Sequence, residues 1–137
     1  MTPPFLDTNI VLRHLLQDDP EQSPKASAML ERVEHGDLSV LTTDIVIFET
    51  VFTLQRTYRA SREAICEGVL PILELPGIEL PGKRLLRRAF ELFLTTRLGF
   101  ADCYHVAVME RAGSDHVLSF DRGFDEIDWI TRSEGEA

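Results

Sequence analysis

The sequence predicts an α/β fold in which a parallel sheet is flanked by helices on both faces. Short apolar stretches without polar alternation, LSVLTT at residues 38–43 and HVLSF at residues 116–120, have the pattern of strands that are buried on both sides. The segments between such stretches carry apolar residues at helical spacing. A chain of 137 residues is long enough to bury a substantial core in one domain.

The first part of the chain predicts two strands and four helices. PFLDT is typical of a short strand, and NIVLRHLLQ follows it as a helix with Thr8 and Asn9 as candidate caps. A second helix is predicted at residues 20–35, ended by Gly36, and a second strand at residues 38–43. The apolar stretch DIVIFETVFTLQRTY predicts a third helix from Asp44, and the fourth covers residues 61–70.

Prolines interrupt the middle of the chain. Pro71, Pro76 and Pro81 predict a broken connection with a short extended piece at residues 78–80. The remaining predicted elements are helices at 83–97 and 100–113, a strand at 116–120, a turn at 121–127 and a last short strand at 129–130. Because the chain has no repeat or linker, we expect one domain at residues 1–132 and a frayed tail at residues 133–137.

Charge and cysteine content narrow the classes of function. Fourteen Lys and Arg against 23 Asp and Glu give a net charge of -9, so any binding of nucleic acid would need a local basic patch. Cys66 and Cys103 lack the spacing of a zinc site and predict buried, reduced thiols in a cytoplasmic protein. Neither a signal peptide nor a membrane span is apparent, and we expect no membrane association.

Four acids stand out as candidate site residues: Asp7, Glu49, Asp102 and Asp121. Asp7 and Asp121 each end a predicted strand, and ligands of open α/β sheets bind in the crevice beyond the carboxyl ends of the strands. Two structural alternatives remain open, because Asp7 also suits a helix N-cap and Asp121 a turn.

The other two acids lie in predicted helices. Glu49 shares a helical stripe with Ile45, Phe48 and Phe52, and a glutamate buried there would need a cation or a proton. The alternative is an edge position from which Glu49 reaches water or pairs with an arginine. Asp102 lies in the first turn of its helix, where the helix dipole alone favours an acid by about 0.3–1 kcal/mol.

A converging set of carboxylates would require a cation. Each close pair would repel by roughly 4 kcal/mol at an effective dielectric constant near 20. Because the ligands would all be oxygens, we expect Mg²⁺ or Mn²⁺ rather than zinc. His105 follows Asp102 by three positions, so it is either a structural histidine or a residue that supports the site.

Four motifs, taken in order along nearly the whole chain, resemble a PIN-domain ribonuclease, most closely the VapC-like toxins of toxin–antitoxin pairs. These motifs are FLDTNI, IFET, FADCYHVAV and LSFDRGFDEI. The resemblance implies a metal-dependent endoribonuclease with a five-stranded parallel sheet, a homodimer, and a cognate antitoxin that occludes the acidic site. The implied catalytic and metal-binding residues are Asp7, Glu49, Asp102 and Asp121, with Asn9 and Ser119 in support and Asp125 as an accessory acid.

An acidic pocket repels RNA phosphates, so the substrate would also need cationic side chains. The candidate contacts are Arg13, Arg84, Arg87, Arg88 and Arg122. The alternatives are that these arginines form a solvated face or contact the antitoxin.

Three other kinds of protein remain as alternatives. A phosphatase of the haloacid dehalogenase type also has an aspartate after its first strand, but it has a second aspartate where this chain has Asn9. A phospho-acceptor receiver domain gives no reason for Glu49. A catalytically inactive PIN-like module that only binds a partner is disfavoured because all four acids are present.

Overall fold

The computed structural model of the protein describes residues 2–135. In this range, short parallel strands alternate with α-helices along the chain. Within that range there are six α-helices, four strands and one short 3-10 helix. The chain divides into two compact units, Met1–Lys83 and Arg84–Ala137. None of the helices between residues 2 and 135 is both long and apolar enough to cross a bilayer.

The first unit contains four helices and a small parallel sheet. Its elements are α1 (Thr8–Leu16), α2 (Gln22–Glu34), β1 (Val40–Leu41), α3 (Asp44–Arg56), α4 (Arg62–Leu73) and β2 (Ile78–Glu79). Strands β1 and β2 are paired in parallel, and Phe5 forms a parallel bridge with Leu41 on the other side of β1. The predicted first strand is therefore a bridge at Phe5, and α1 begins three residues later, at Thr8.

Apolar side chains from all four helices form the core of this unit. Helix α1 packs against α2 and α3, and α3 packs against α4. The largest fully buried apolar side chains of the unit are Val11, Val51, Ile65, Val69, Leu73 and, from β2, Ile78. Gly77, just before β2, is needed for close packing, because a Cβ atom there would lie 2.9 Å from Val33 Cγ1 and 3.0 Å from the Leu38 carbonyl oxygen.

The prediction that Pro71 ends the fourth helix is wrong. Helix α4 continues through Pro71 to Leu73, although proline lacks the N–H that would bond to the preceding turn. The buried side chains of Ile72 and Leu73 lie in this last turn, and their packing offsets the lost hydrogen bond. The extended piece predicted at residues 78–80 is present as β2.

The second unit combines two helices with a parallel pair of strands. Its elements are α5 (Lys83–Thr95), α6 (Phe100–Ala112), β3 (His116–Leu118), the 3-10 helix (Arg122–Glu126) and β4 (Thr131–Ser133). Strands β3 and β4 run parallel, with Val117 opposite Arg132. Phe100 packs against Phe90 and Phe93, with ring centroids 4.6 and 5.5 Å away.

The last strand lies later in the chain than predicted. Residues 129–130 are not a strand, and β4 begins at Thr131 because its backbone N–H bonds to the Asp115 carbonyl oxygen. Ser133, which the sequence predicts to lie in a frayed tail, ends β4 and is buried. Residues 136–137 of that tail lie outside the described residues. The domain boundary at residue 132 stays a prediction.

The α/β class with parallel strands is confirmed, and so is the burial of Cys66 and Cys103. Within the two units, the extended segments are Phe5, β1 and β2 in the first and β3 and β4 in the second. That these five segments form one continuous sheet stays a prediction.

Candidate metal-binding and active site

Asp7 occupies the N-cap position of α1 without capping it. Its backbone is extended, with φ -88° and ψ 158°, as an N-cap residue requires, but its side chain accepts no capping hydrogen bond. The first turn is instead closed by the backbone bond from Ile10 N–H to the Asp7 carbonyl oxygen, at 3.1 Å. The carboxylate of Asp7 is exposed and is not used by the helix.

Glu49 lies on the exposed face of α3, so the prediction that it is buried in an apolar stripe is wrong. Ile45 and Phe52 of that stripe are 63% and 57% exposed. Helix α3 has apolar residues on more than one face, and the face that packs into the core consists of Val46, Ile47, Thr50, Val51 and Leu54. The edge alternative is the one observed.

The Glu49 side chain is nevertheless held in place. The Thr8 hydroxyl donates a hydrogen bond to Glu49 Oε1 at 2.8 Å, across 41 residues of sequence. Thr8 is the first residue of α1 and follows Asp7 directly. This bond ties the helix that carries Glu49 to the turn that carries Asp7.

In the second unit, Asp102 and Asp121 are close enough for a side-chain hydrogen bond between their carboxyl groups. Asp102 lies in the first turn of α6, and Asp121 precedes the 3-10 helix. Burial of the half-exposed Asp102 raises its pKa, and the neighbouring charge of Asp121 and a side-chain hydrogen bond with Asp121 raise this pKa further. The positive charge of His105, when protonated, opposes the rise.

The Asp121 carboxylate has a fixed orientation. The Oδ1 atom of Asp121 accepts a hydrogen bond from Gly123 N–H at 2.8 Å. The backbone N–H of Asp121 donates to Ser119 Oγ at 2.9 Å. A Cβ atom at position 123 would lie 3.1 Å from Asp121 Oδ1 and 3.2 Å from Leu98 Cδ2. The turn therefore has little room for a larger residue beside the carboxylate.

An open cavity of about 530 Å³ lies beside this acid pair. Its polar lining includes Asp102, His105, His116, Ser119 and Asp121, and its apolar lining includes Val108, Leu118 and Phe124. The carboxylate pair is therefore accessible to an ion from solvent.

The three predicted supporting residues differ in their contacts. Ser119 holds the backbone of Asp121, as described above. Asn9 is exposed, and the hydroxyl that reaches Glu49 belongs to Thr8. The predicted accessory acid Asp125 is engaged in an ion pair with Arg132, with Oδ1 at 2.9 Å from Arg132 Nε.

Two of the arginines predicted to contact RNA are engaged in ion pairs. Arg13 bonds to Asp18 at 3.1 Å, and Arg88 bonds to Glu110 at 2.8 Å and to Glu91 at 3.1 Å. Arg87 is half-buried and also has an interaction within the protein, whereas Arg84 and Arg122 are exposed.

Sequence reasoning missed the contributions of Thr8, Gly123 and Arg132. The sequence pattern indicates Thr8 only as a cap, because its partner Glu49 lies too far along the chain for a spacing rule to find. The only available signal for Gly123 was its position two residues after Asp121, where an aspartate often accepts from the backbone. No pattern indicates Arg132, because the last predicted strand ends at residue 130, whereas Arg132 lies in β4.

The donor chemistry fits a hard divalent ion. Paired carboxyl oxygens without thiol ligands suit Mg²⁺ or Mn²⁺, and a cation beside Asp102 would favour the ionised form that burial and Asp121 disfavour. Among residues 2–135, no group of three or more His, Cys, Asp or Glu side chains is arranged to hold a metal ion. The four-acid cluster therefore stays a prediction.

Comparison with known proteins identifies the family. The family model of the PIN domain matches residues 5–130. A VapC ribonuclease of Aquifex aeolicus is 30% identical over 129 residues, which cover 93% of each chain. The crystal structure of Mycobacterium tuberculosis VapC20, described as a Sarcin-Ricin loop cleaving toxin, is 21% identical over 92% of this chain and 95% of that one, with a TM-score of 0.39. The chain thus belongs to the PIN domain family, among the VapC ribonucleases, as its motifs predict.

Proposed function

We propose that this chain is a divalent-metal-dependent endoribonuclease and the toxin of a toxin–antitoxin pair. The observation that carries this proposal is the contact between the Asp102 and Asp121 carboxyl groups in a chain of the VapC ribonuclease family. PIN nucleases depend on divalent metals in general, and the donors here favour Mg²⁺ or Mn²⁺. The match to the PIN domain family excludes the phosphatase and receiver-domain alternatives.

Asp7, Glu49, Asp102 and Asp121 are the residues that we propose as metal ligands and catalytic acids. A bound divalent ion would lower the pKa of a water molecule and stabilise the charge that develops at the phosphate. A divalent ion beside Asp102 would offset the burial and the neighbouring Asp121 charge that raise the pKa of Asp102, and would favour the ionised form of this carboxyl group. Glu49, oriented by the Thr8 hydroxyl, is suited to accept a proton from the attacking water.

Exposed arginines are the proposed contacts for the RNA backbone. Arg84 and Arg122 remain candidates because both are exposed, whereas Arg13 and Arg88 would first have to leave their ion pairs. In a plot of the logarithm of the RNA binding constant against the logarithm of the salt concentration, the slope should become shallower by about 1 for each phosphate contact that is lost. We further propose a cytoplasmic location, a homodimer and a cognate antitoxin, as the family resemblance implies.

The test is cleavage of structured RNAs by the purified chain with Mg²⁺ or Mn²⁺, with and without EDTA. We expect cleavage that requires the metal and is lost in Asp7→Asn and Asp121→Asn. The inactive-module alternative predicts tight binding of a partner protein without cleavage and without toxicity when the chain is expressed alone. Cleavage that persists in EDTA would contradict the proposal.

A further inference from the structure

Arg132 is tied to both ends of the segment that carries Asp121. It lies in β4, and its side chain is only 13% exposed. Its Nη1 donates to the Ser119 carbonyl oxygen at 3.0 Å, on the near side of Asp121. Its Nε and Nη2 donate to the two carboxylate oxygens of Asp125, at 2.9 and 3.4 Å, on the far side.

Between these two anchors, short hydrogen bonds lead to the Asp121 carboxylate. Ser119 accepts from Asp121 N–H through Oγ, and Asp121 Oδ1 accepts from Gly123 N–H. The Ser119 N–H itself bonds to the Ser133 carbonyl oxygen at 3.0 Å, next to Arg132 in β4. The position of the carboxylate therefore depends on the anchoring of residues 119–125 to this strand.

The geometry of the contact requires a guanidinium group. A planar fork can donate to one carboxylate through two nitrogens and to a carbonyl oxygen at the same time, whereas a lysine ammonium is a single compact charge on a flexible chain. Arg132 also bonds to Glu134, so the guanidinium has acceptors on several sides. Asp125 is thus an anchor for Arg132.

We propose that Arg132, held by Asp125, is a positioning residue that fixes the Asp121 carboxylate for metal binding. This inference rests on the proposed metal-dependent function, because it assigns Asp121 as a ligand. Groups that orient a metal ligand without touching the ion commonly change metal affinity by about 10- to 100-fold when they are removed.

Whether Mn²⁺ binding becomes weaker or stronger after removal of Arg132 distinguishes a positioning role from a purely electrostatic one. Removing a positive charge close to a cation site strengthens cation binding if the charge acts only through space. Loss of positioning weakens it. We therefore expect Arg132→Gln to bind Mn²⁺ about 10- to 100-fold more weakly than the wild type, with Arg132→Lys intermediate because it keeps the charge but not the fork.

A second readout needs neither metal nor activity. In the metal-free protein, hydrogen exchange of the Gly123 amide reports its bond to Asp121 Oδ1. We expect exchange at least about tenfold faster in Arg132→Gln and in Asp125→Asn, corresponding to a loss of local protection. The matched control is Arg111→Gln, which removes an exposed arginine at the end of α6 and should leave both readouts unchanged.

The outcomes are distinguishable. Faster exchange at Gly123 together with weaker Mn²⁺ binding supports the proposal, provided that the Thr131 amide, which bonds to Asp115 across β3 and β4, stays protected. Unchanged exchange at Gly123, or tighter Mn²⁺ binding, overturns it. Should the wild type fail to bind Mn²⁺ or cleave RNA, the proposed function is wrong, and the exchange of Gly123 still decides whether Arg132 fixes Asp121.

Discussion

In the first unit the two proposed site acids, Asp7 and Glu49, are exposed, whereas in the second unit Asp102 and Asp121 touch each other. Asp7 accepts no capping bond and Glu49 is oriented by a neutral hydroxyl. Asp102 is half-buried, and its pKa is raised by burial and by Asp121. Proximity and burial, more than the number of acids, therefore disfavour the ionised form of Asp102, and the second unit is where a cation would relieve this cost.

The largest effect is expected when one acid of the Asp102–Asp121 pair is removed, which tests whether the difference between the two units matters for activity. We expect Asp102→Asn to lower RNA cleavage by more than about 100-fold, since removal of groups that only support a ligand already costs 10- to 100-fold in metal affinity or activity. The measurement is the cleavage rate at saturating Mn²⁺. The control is Asp128→Asn, which changes an exposed acid of the same unit. Equal activity of the two variants would show that the pair is not the metal site.

The fixed orientation of Asp121 can be tested through Gly123→Ala. The added methyl group would lie within 3.2 Å of both Asp121 Oδ1 and Leu98 Cδ2, so one of them must move. We expect a loss of about 1–3 kcal/mol in the free energy of unfolding, as for other overpacked sites, together with weaker Mn²⁺ binding. Denaturant unfolding and Mn²⁺ titration measure the two effects. An alanine tolerated without change would show that the turn is less tightly packed than described.

In the first unit, the corresponding test is Thr8→Val, which removes the hydroxyl that donates to Glu49. We expect a loss of about 0.5–1.5 kcal/mol in transition-state stabilisation, which corresponds to a fall of roughly 2- to 12-fold in the cleavage rate. Thr8→Ser keeps the donor and should retain most of the activity. If Thr8→Ser and Thr8→Val are equally impaired, the hydroxyl does not orient Glu49.

The smallest expected effect is on stability and depends on pH. Asp102 has a raised pKa in the folded protein, so its carboxyl group favours folding when protonated at low pH, and this contribution is lost as the pH rises through the folded-state pKa. At neutral pH without metal, Asp102→Asn should therefore be more stable than the wild type by no more than about 1 kcal/mol, because solvent screens a half-exposed pair.

Thermal unfolding in EDTA measures this difference as a shift in Tm of a few degrees. The gain should shrink toward zero as the pH falls below the ordinary range for aspartate and the wild-type carboxyl becomes protonated. A lower Tm for Asp102→Asn at neutral pH would mean that the carboxylate stabilises the fold and that the pair is structural.

Much of the fold followed from local pattern, and the errors have identifiable physical causes. The helices were predicted within a few residues because their apolar spacing is a local signal, as are Gly36 just after α2 and the C-cap Gly113 of α6. The end of α4 was misplaced because tertiary packing of Leu73 outweighs the local preference of Pro71. β4 was misplaced because its pairing with β3 depends on residues far apart in sequence.

The site shows the same division between local and distant information. The approach of Asp102 to Asp121 was expected from where helix starts and strand ends meet in α/β sheets. The exposure of Glu49 was not, because α3 is apolar around much of its circumference and the sequence does not say which side faces the core. The bonds of Thr8 and Arg132 involve side-chain orientation, which a spacing rule does not contain.

The uncapped start of α1 has a consequence for protein engineering. A residue that does cap a helix typically adds about 0.5–2 kcal/mol, so a screen for thermostability would favour replacements at position 7 that serve the helix better than Asp7 does. Under the proposed function these same replacements would disarm the nuclease. Selection of clones for high yield or heat tolerance would then enrich variants that have lost nuclease activity. The codon for position 7 should therefore be resequenced first in clones obtained from such a selection.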